Sequence, residues 1–109
     1  MTVRELSESC GFGTVSLANG EHQVSGVYVG DLLSWVMGRA SADNAWITIM
    51  SNINVIAVAS LSDVSCVIFA EGVTPDDDII SVAKEKGINL LCSELPTYET
   101  AVKISELLR

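Results

Sequence analysis

The residues of this 109-residue chain that could bind a ligand lie in four residue pairs: Gly30-Asp31, Ser51-Asn52, Glu71-Gly72 and Ser93-Glu94. Each pair follows a run of strand-forming residues, and its carboxylate, amide or hydroxyl oxygens are groups that Mg²⁺ and Ca²⁺ accept as ligands. The same oxygens can instead satisfy free N–H groups at the start of the next helix. We predict no bound metal and take these residues as a candidate small-ligand site: Asp31, Ser51, Asn52, Glu71, Gly72, Ser93 and Glu94.

No other group of residues forms a catalytic pattern. The chain has no GxxxxGK[ST] phosphate loop, and its glycines do not form GxGxxG, so nucleotide hydrolysis and phosphoryl transfer are not supported. The single histidine, His22, stands between Glu21 and Gln23, which predicts an exposed surface residue. Because nucleophilic catalysis needs a base beside a thiol or hydroxyl, we predict no catalytic residues, no enzymatic activity and no cofactor.

The cysteines are interpreted as reduced thiols. Cys10, Cys66 and Cys92 are odd in number and widely spaced, which does not fit a disulfide framework. Cys66 and Cys92 fall inside predicted strands and are expected to act as small core residues. Cys10, near a helix end, is the one expected to be exposed.

Composition narrows the class of partner. Hydrophobic residues make up 49% of the chain and charged residues 18%, which predicts a folded domain with a charge-poor surface suited to association. Fourteen acidic residues against six basic ones give a net charge of −8, so nucleic acid is excluded as a partner. No apolar run reaches the roughly 18 residues of a membrane span, and the start lacks a secretory pattern, so we expect no membrane contact and a cytoplasmic location.

The elements that must position the polar pairs alternate between strand and helix. From Val24 onward a strand, a polar loop and a helix recur four times, with strands beginning near Val24, Trp46, Ser65 and Ile88. This pattern predicts one α/β domain over residues 1–109, with a mainly parallel open sheet of about five strands and helices on both faces. Right-handed crossovers would place all four strand-to-helix loops at one edge of that sheet.

Capping and turn residues predict the ends of two helices and a turn in the N-terminal region. Thr2 and Glu5 form a capping box that opens a short helix ending near Cys10. Asn19-Gly20 predicts a tight turn, and therefore a hairpin or a short loop that joins two N-terminal strands. Further along, a helix is expected to start at Thr74, with Pro75 in its first turn, and to stop at Gly87.

The stretch Trp46 to Leu61 is the most apolar of the chain. Its second half, Ile53 to Leu61, has only Asn54 and Ser60 as polar members, a composition that needs cover on more than one side. Symmetric pairing of two copies is the commonest way to provide such cover. The predicted homodimer contact consists of Leu32, Trp35, Val36, Ile53, Ile56 and Leu61.

The segments VSGVYVGDLLSWVMGRA, AWITIMSNINVIAVASL and IFAEGVTPDDDIISVAKEKGINLL make the chain resemble the DRTGG domain family, from about Thr2 to Leu108. It is most similar to short stand-alone members from anaerobic bacteria. Related domains accompany CBS domains in regulated pyrophosphatases and form the N-terminal domain of HPr kinase/phosphorylase. Where the family has Gly-Asp-Arg and Thr-Gly-Gly, this chain has Ser51-Asn52-Ile53 and Ala70-Glu71-Gly72, so only Gly72 is retained.

The resemblance implies a regulatory or assembly domain that is commonly dimeric. For the short members it also implies a link to hydrogenase or redox metabolism. The kinase's own nucleotide-binding domain is absent, so kinase activity is not implied. We therefore expect a non-catalytic regulatory homodimer, which could also contact another protein; the alternative is a sensor of a nucleotide, metabolite or metal at the loop edge.

Overall fold

The computed structural model describes residues 1–109 and contains five helices and five strands. Helix and strand alternate from β2 to α5, as the sequence predicts. In chain order the elements are α1 (Val3–Cys10), β1 (Gly13–Ser16), β2 (Gly26–Val29), α2 (Leu33–Arg39), β3 (Asn44–Thr48), α3 (Asn54–Ser62), β4 (Cys66–Phe69), α4 (Asp77–Lys86), β5 (Leu90–Cys92) and α5 (Thr97–Leu108).

The strands form one sheet in the order β1-β5-β4-β3-β2. Strands β2 to β5 are mutually parallel, and β1 pairs antiparallel with β5. The mainly parallel five-stranded sheet is therefore confirmed, but the predicted N-terminal hairpin is wrong, because β1 and β2 lie at opposite edges. The turn at Ala18 to Glu21 does form, and the chain beyond it pairs with the N-terminus: Val24 N donates to Met1 O at 2.8 Å.

The helices cover the sheet unequally. Because β2 to β5 are added in sequence order through crossovers of one hand, α2, α3 and α4 lie on the same face. The core on that face contains Trp46 and Phe69. Helices α1 and α5 cover the other face, where the core contains Ile47, Ile68 and the fully buried Cys66.

Local capping sets the helix ends. The predicted box at α1 is present: Glu5 N donates to Thr2 Oγ1 at 3.2 Å, and Thr2 N donates to Glu5 Oε1 at 2.9 Å. Helix α4 begins later than Thr74, because Asp76 is a stronger N-cap and accepts from Ile79 N at 3.2 Å. Gly87 ends that helix as expected, with φ of +72°.

Both chain ends lie beside the start of β2. The residues around Met1 pair with the segment that leads into the strand, as the Thr2–Gln23 bridge shows. Arg109 lines a shallow groove together with Ser25, Gly26 and Val27. None of the helices has the length and apolarity needed to cross a membrane.

Candidate functional site

Asp31 fixes the exit of β3 and does not cap the helix that follows it. Its Oδ1 accepts a hydrogen bond from the buried Thr48 hydroxyl at 2.8 Å and another from Ile49 N at 2.9 Å. Thr48 Oγ1 in turn accepts from Met50 N at 3.2 Å. The N-cap of α2 is Leu32, which provides no side-chain hydrogen bond. Asp31 therefore joins the loop after β2 to the loop after β3.

Asn52 serves the start of α3. Its Oδ1 accepts from Asn54 N at 2.8 Å, as an Asx side chain does at a helix entry. Ser51 is exposed, and its hydroxyl makes no hydrogen bond within the protein. Of this pair, Ser51 keeps its whole side chain free, whereas Asn52 uses its Oδ1 to support the helix.

Glu71 caps a helix that is distant in sequence. Its Oε2 accepts from Thr97 N at 2.7 Å and from the Thr97 hydroxyl at 3.2 Å, which satisfies the first turn of α5. The backbone follows the same connection, since Glu71 N donates to Leu95 O at 2.9 Å and Gly72 N donates to Ser93 O at 2.9 Å. Glu71 itself adopts a left-handed conformation with φ of +62°. These contacts close the space between the carboxyl ends of β4 and β5.

Ser93 is buried and structural, whereas Glu94 is free. Ser93 Oγ and Thr100 Oγ1 are 2.8 Å apart, and Leu95 N donates to Ser93 Oγ at 3.1 Å. Glu94 is exposed and forms neither an ion pair nor a hydrogen bond. The edge thus uses four of the seven candidate residues to hold its own backbone, and these are Asp31, Asn52, Glu71 and Ser93.

The seven candidate residues do not line one common cavity. Ligand crevices in parallel sheets form where neighbouring strands send their connections to opposite faces. Here that position lies between β4, which is followed by α4, and β5, which is followed by α5 on the other face. Glu71 and its partners occupy it. Only Ser93 and Glu94 line a cavity at all.

That cavity, of about 280 Å³, lies between the end of β5, the start of β1 and the end of α1. We call it the thiol cavity, because Cys10 and Cys92 both line it. Residues that the sequence analysis missed complete its wall: Gly11, Phe12, Gly13, Leu95 and Lys103. No sequence signal identifies this cavity, because it depends on the pairing of Gly13 with Cys92 across most of the chain.

Burial keeps both thiols of this cavity protonated at neutral pH. Desolvation raises the pKa of Cys10, with Lys103 acting in the opposite direction, and it raises the pKa of Cys92, to which Glu94 adds. A protonated thiol is a poor nucleophile. The expectation that Cys10 is the exposed cysteine is wrong, since Cys10 is buried and Cys92 is half-buried.

The predicted subunit contact divides into two groups. Val36 and Ile56 are fully buried inside the domain, where they face the sheet, so their assignment to an interface is corrected. Leu32, Trp35, Ile53 and Leu61 are exposed. Together with exposed Ala57 they form what we call the α2–α3 face: Leu32, Trp35, Ile53, Ala57 and Leu61.

The single histidine pairs with an aspartate outside the loop edge. His22 is partly buried rather than exposed, because its Nε2 lies 2.7 Å from Asp43 Oδ1. No nucleophile contacts this pair. No cluster of three or more His, Cys, Asp or Glu side chains has the arrangement needed to hold a metal ion.

Fold and edge together define a class: a small α/β domain whose loop-edge side chains mainly serve its own backbone. The chain belongs to the DRTGG domain family, whose model matches residues 13–107. None of the curated proteins compared with the chain matches it.

Among solved structures, the chain is similar to the CBS and DRTGG domains of the regulatory region of Clostridium perfringens pyrophosphatase, which was crystallised with its activator, diadenosine tetraphosphate. The TM-score is 0.74 at 16% identity, and the match covers 94% of this chain and 45% of that one. The chain therefore spans less than half the length of this relative. At this identity the likeness establishes the fold.

Proposed function

We propose that the chain is a non-catalytic regulatory or assembly domain that works as a homodimer, with the α2–α3 face as the contact between subunits. The observation that carries the proposal is the chemistry of this face. In a chain with a net charge of −8, no charged residue occurs between Ile49 and Ser62, and that segment still exposes Ile53 and Leu61 to solvent.

Helix α2 supports the same conclusion. Val36 is its one fully buried residue, while Leu32 and Trp35 are both more than half exposed. The Arg39 guanidinium lies 3.7 Å from the centroid of the Trp35 ring. Trp and Arg are enriched among the residues that dominate binding energy at protein interfaces. A short helix with so little burial of its own gains stability when another surface covers it.

A second copy fits this face better than an oppositely charged partner would. Two chains of net charge −8 repel each other unless the surfaces that meet are free of acidic groups. The α2–α3 face meets that condition, and a twofold axis would pair it with itself. We propose that the dimer is cytoplasmic. We also propose that it acts in redox or hydrogen metabolism, as the resemblance to the short family members implies. The relative's role in a regulatory region supports regulation rather than catalysis.

Sedimentation velocity at micromolar concentration tests the dimer directly. A sedimentation coefficient that rises with concentration towards that of a 23-kDa particle, about twice the 11.6 kDa of one chain, is the expected result. A concentration-independent monomer would reject the proposal.

A second candidate function is a small-ligand sensor at the loop edge. The relative was crystallised with an activator, and Ser51 and Glu94 keep their side chains free of hydrogen-bond partners at this edge. None of the four loops carries Lys or Arg, so neutral or zwitterionic ligands are favoured over polyphosphates. Thermal-shift screening tests this, because a ligand at 100 times its Kd stabilises a protein by about 2.7 kcal/mol.

A further inference from the structure

The thiol cavity combines an apolar floor with a charged rim. Cys10 and Phe12 are buried, and Cys92 is half-buried, so the interior presents sulfur and ring carbon. Lys103 and Glu94 line the same cavity and are exposed. Such a division suits a ligand with an apolar side group and a charged head.

The two rim charges do not neutralise each other. Neither Lys103 nor Glu94 takes part in an ion pair within the protein. Lys103 Nζ donates one hydrogen bond, to Cys10 O at 3.0 Å, and an ammonium group has three donors, so two remain. Glu94 has both carboxylate oxygens free. One cation and one anion therefore stand unpaired at the mouth of one cavity.

We propose that the thiol cavity binds a small apolar α-amino acid, with the ligand carboxylate at Lys103, the ligand ammonium at Glu94 and the side chain towards Phe12 and the thiols. Charge-assisted hydrogen bonds to both ends of a zwitterion are stronger than contacts to a neutral group. The inference narrows the small-ligand sensor proposed above to one corner of the edge, and it rests on that function but not on the dimer.

The dimensions agree with this ligand class. Pockets for drug-sized molecules measure roughly 300–1,000 Å³, and a volume of about 280 Å³ lies just below that range. Protonated thiols also add no negative charge that would oppose the ligand carboxylate.

The experiment is a titration of the ¹⁵N-labelled full chain with L-alanine, L-valine and L-leucine, followed by NMR at the Gly11 and Gly13 amides. Two matched analogues each lack one charge: N-acetyl-L-valine has no ammonium, and L-valine methyl ester has no carboxylate. Glu94→Gln is the main variant, because Glu94 makes no contact that folding needs. Lys103→Met is the second variant, and Glu85→Gln is the matched control, because Glu85 is an exposed carboxylate on α4, away from the cavity.

We expect saturable shifts at Gly11 and Gly13 with an amino acid, at least about tenfold weaker binding of both analogues and of both rim variants, and unchanged binding to Glu85→Gln. Amino-acid binding that survives in Glu94→Gln, or that is lost in Glu85→Gln, would overturn the cavity assignment while leaving a sensor elsewhere. Thermal shifts with other metabolites but none with amino acids would overturn the ligand class. No response to any compound would overturn both this inference and the sensor.

Discussion

Replacing Leu61 with aspartate should dissociate the proposed dimer without unfolding the chain. Leu61 is 73% exposed in the single chain, so most of its side chain is available to a partner. Burying a whole leucine contributes about 1.5–3 kcal/mol. In a twofold dimer both copies lose this contribution, so we expect a loss of about 3 kcal/mol, which weakens dimerisation about 150-fold. A charge buried opposite itself would weaken it further.

Tyr98→Asp provides the matched control. Tyr98 is 74% exposed, yet it lies on α5, which covers the opposite face of the sheet. Sedimentation equilibrium across a hundredfold concentration range would give both dissociation constants, and urea denaturation would confirm that the two variants remain folded. Equal effects of the two substitutions would show that general surface charge, rather than the α2–α3 face, controls association. A dimer unaffected by Leu61→Asp would refute the assigned contact.

Three further predictions concern the single domain. Asp31→Ala should lower the free energy of unfolding by about 2 kcal/mol, because it removes two hydrogen bonds to a carboxylate. The control Glu85→Ala, at an exposed position, should change it by less than about 0.5 kcal/mol. Urea denaturation measures both values, and equal values would contradict the role of Asp31. Asn89→Ala should cost about 3 kcal/mol in the same assay, since this buried amide makes three hydrogen bonds, and a loss below about 1 kcal/mol would refute its importance. Burial raises the pKa of Cys66 to about 12, so the unfolded chain loses the thiol proton at a lower pH than the folded chain does. The free energy of unfolding should therefore fall from about pH 8.5 upward, and the fall should be shallower in Cys66→Ala. Identical pH profiles of the two proteins would contradict this prediction.

The local parts of the fold were readable because their causes are local. The capping box of Thr2 and Glu5 and the stop at Gly87 depend on residues within one helical turn. The parallel sheet followed from the alternation of strands and helices, which leaves little choice of topology. The position of β1 was not readable, because its pairing with β5 joins Gly13 to Cys92 across most of the chain. The turn at Asn19 is instead held by Asn89, whose amide exchanges two hydrogen bonds with its backbone.

The hydrogen-bond partners of the candidate site residues could likewise be predicted only where they are close in sequence. The sequence correctly indicated that the polar residues after the strands could serve as caps, but it paired each one with the helix that follows it. In the structure Asp31 serves the loop after β3, and Glu71 serves α5. These partners are neighbours across the sheet rather than along the chain, so no spacing rule identifies them. The burial of Val36 and Ile56 also could not be predicted, because the sequence of an apolar helix does not indicate which of its sides faces the sheet.

Met1 and Arg109 both lie next to the residues that open β2. A domain whose two ends are adjacent can be inserted into a loop of a host protein without distorting the backbone of either one. Helices α1 and α5 are on the side of the sheet opposite α2 and α3. A host protein attached at this point would therefore lie on the α1–α5 side of the sheet and leave the α2–α3 face exposed.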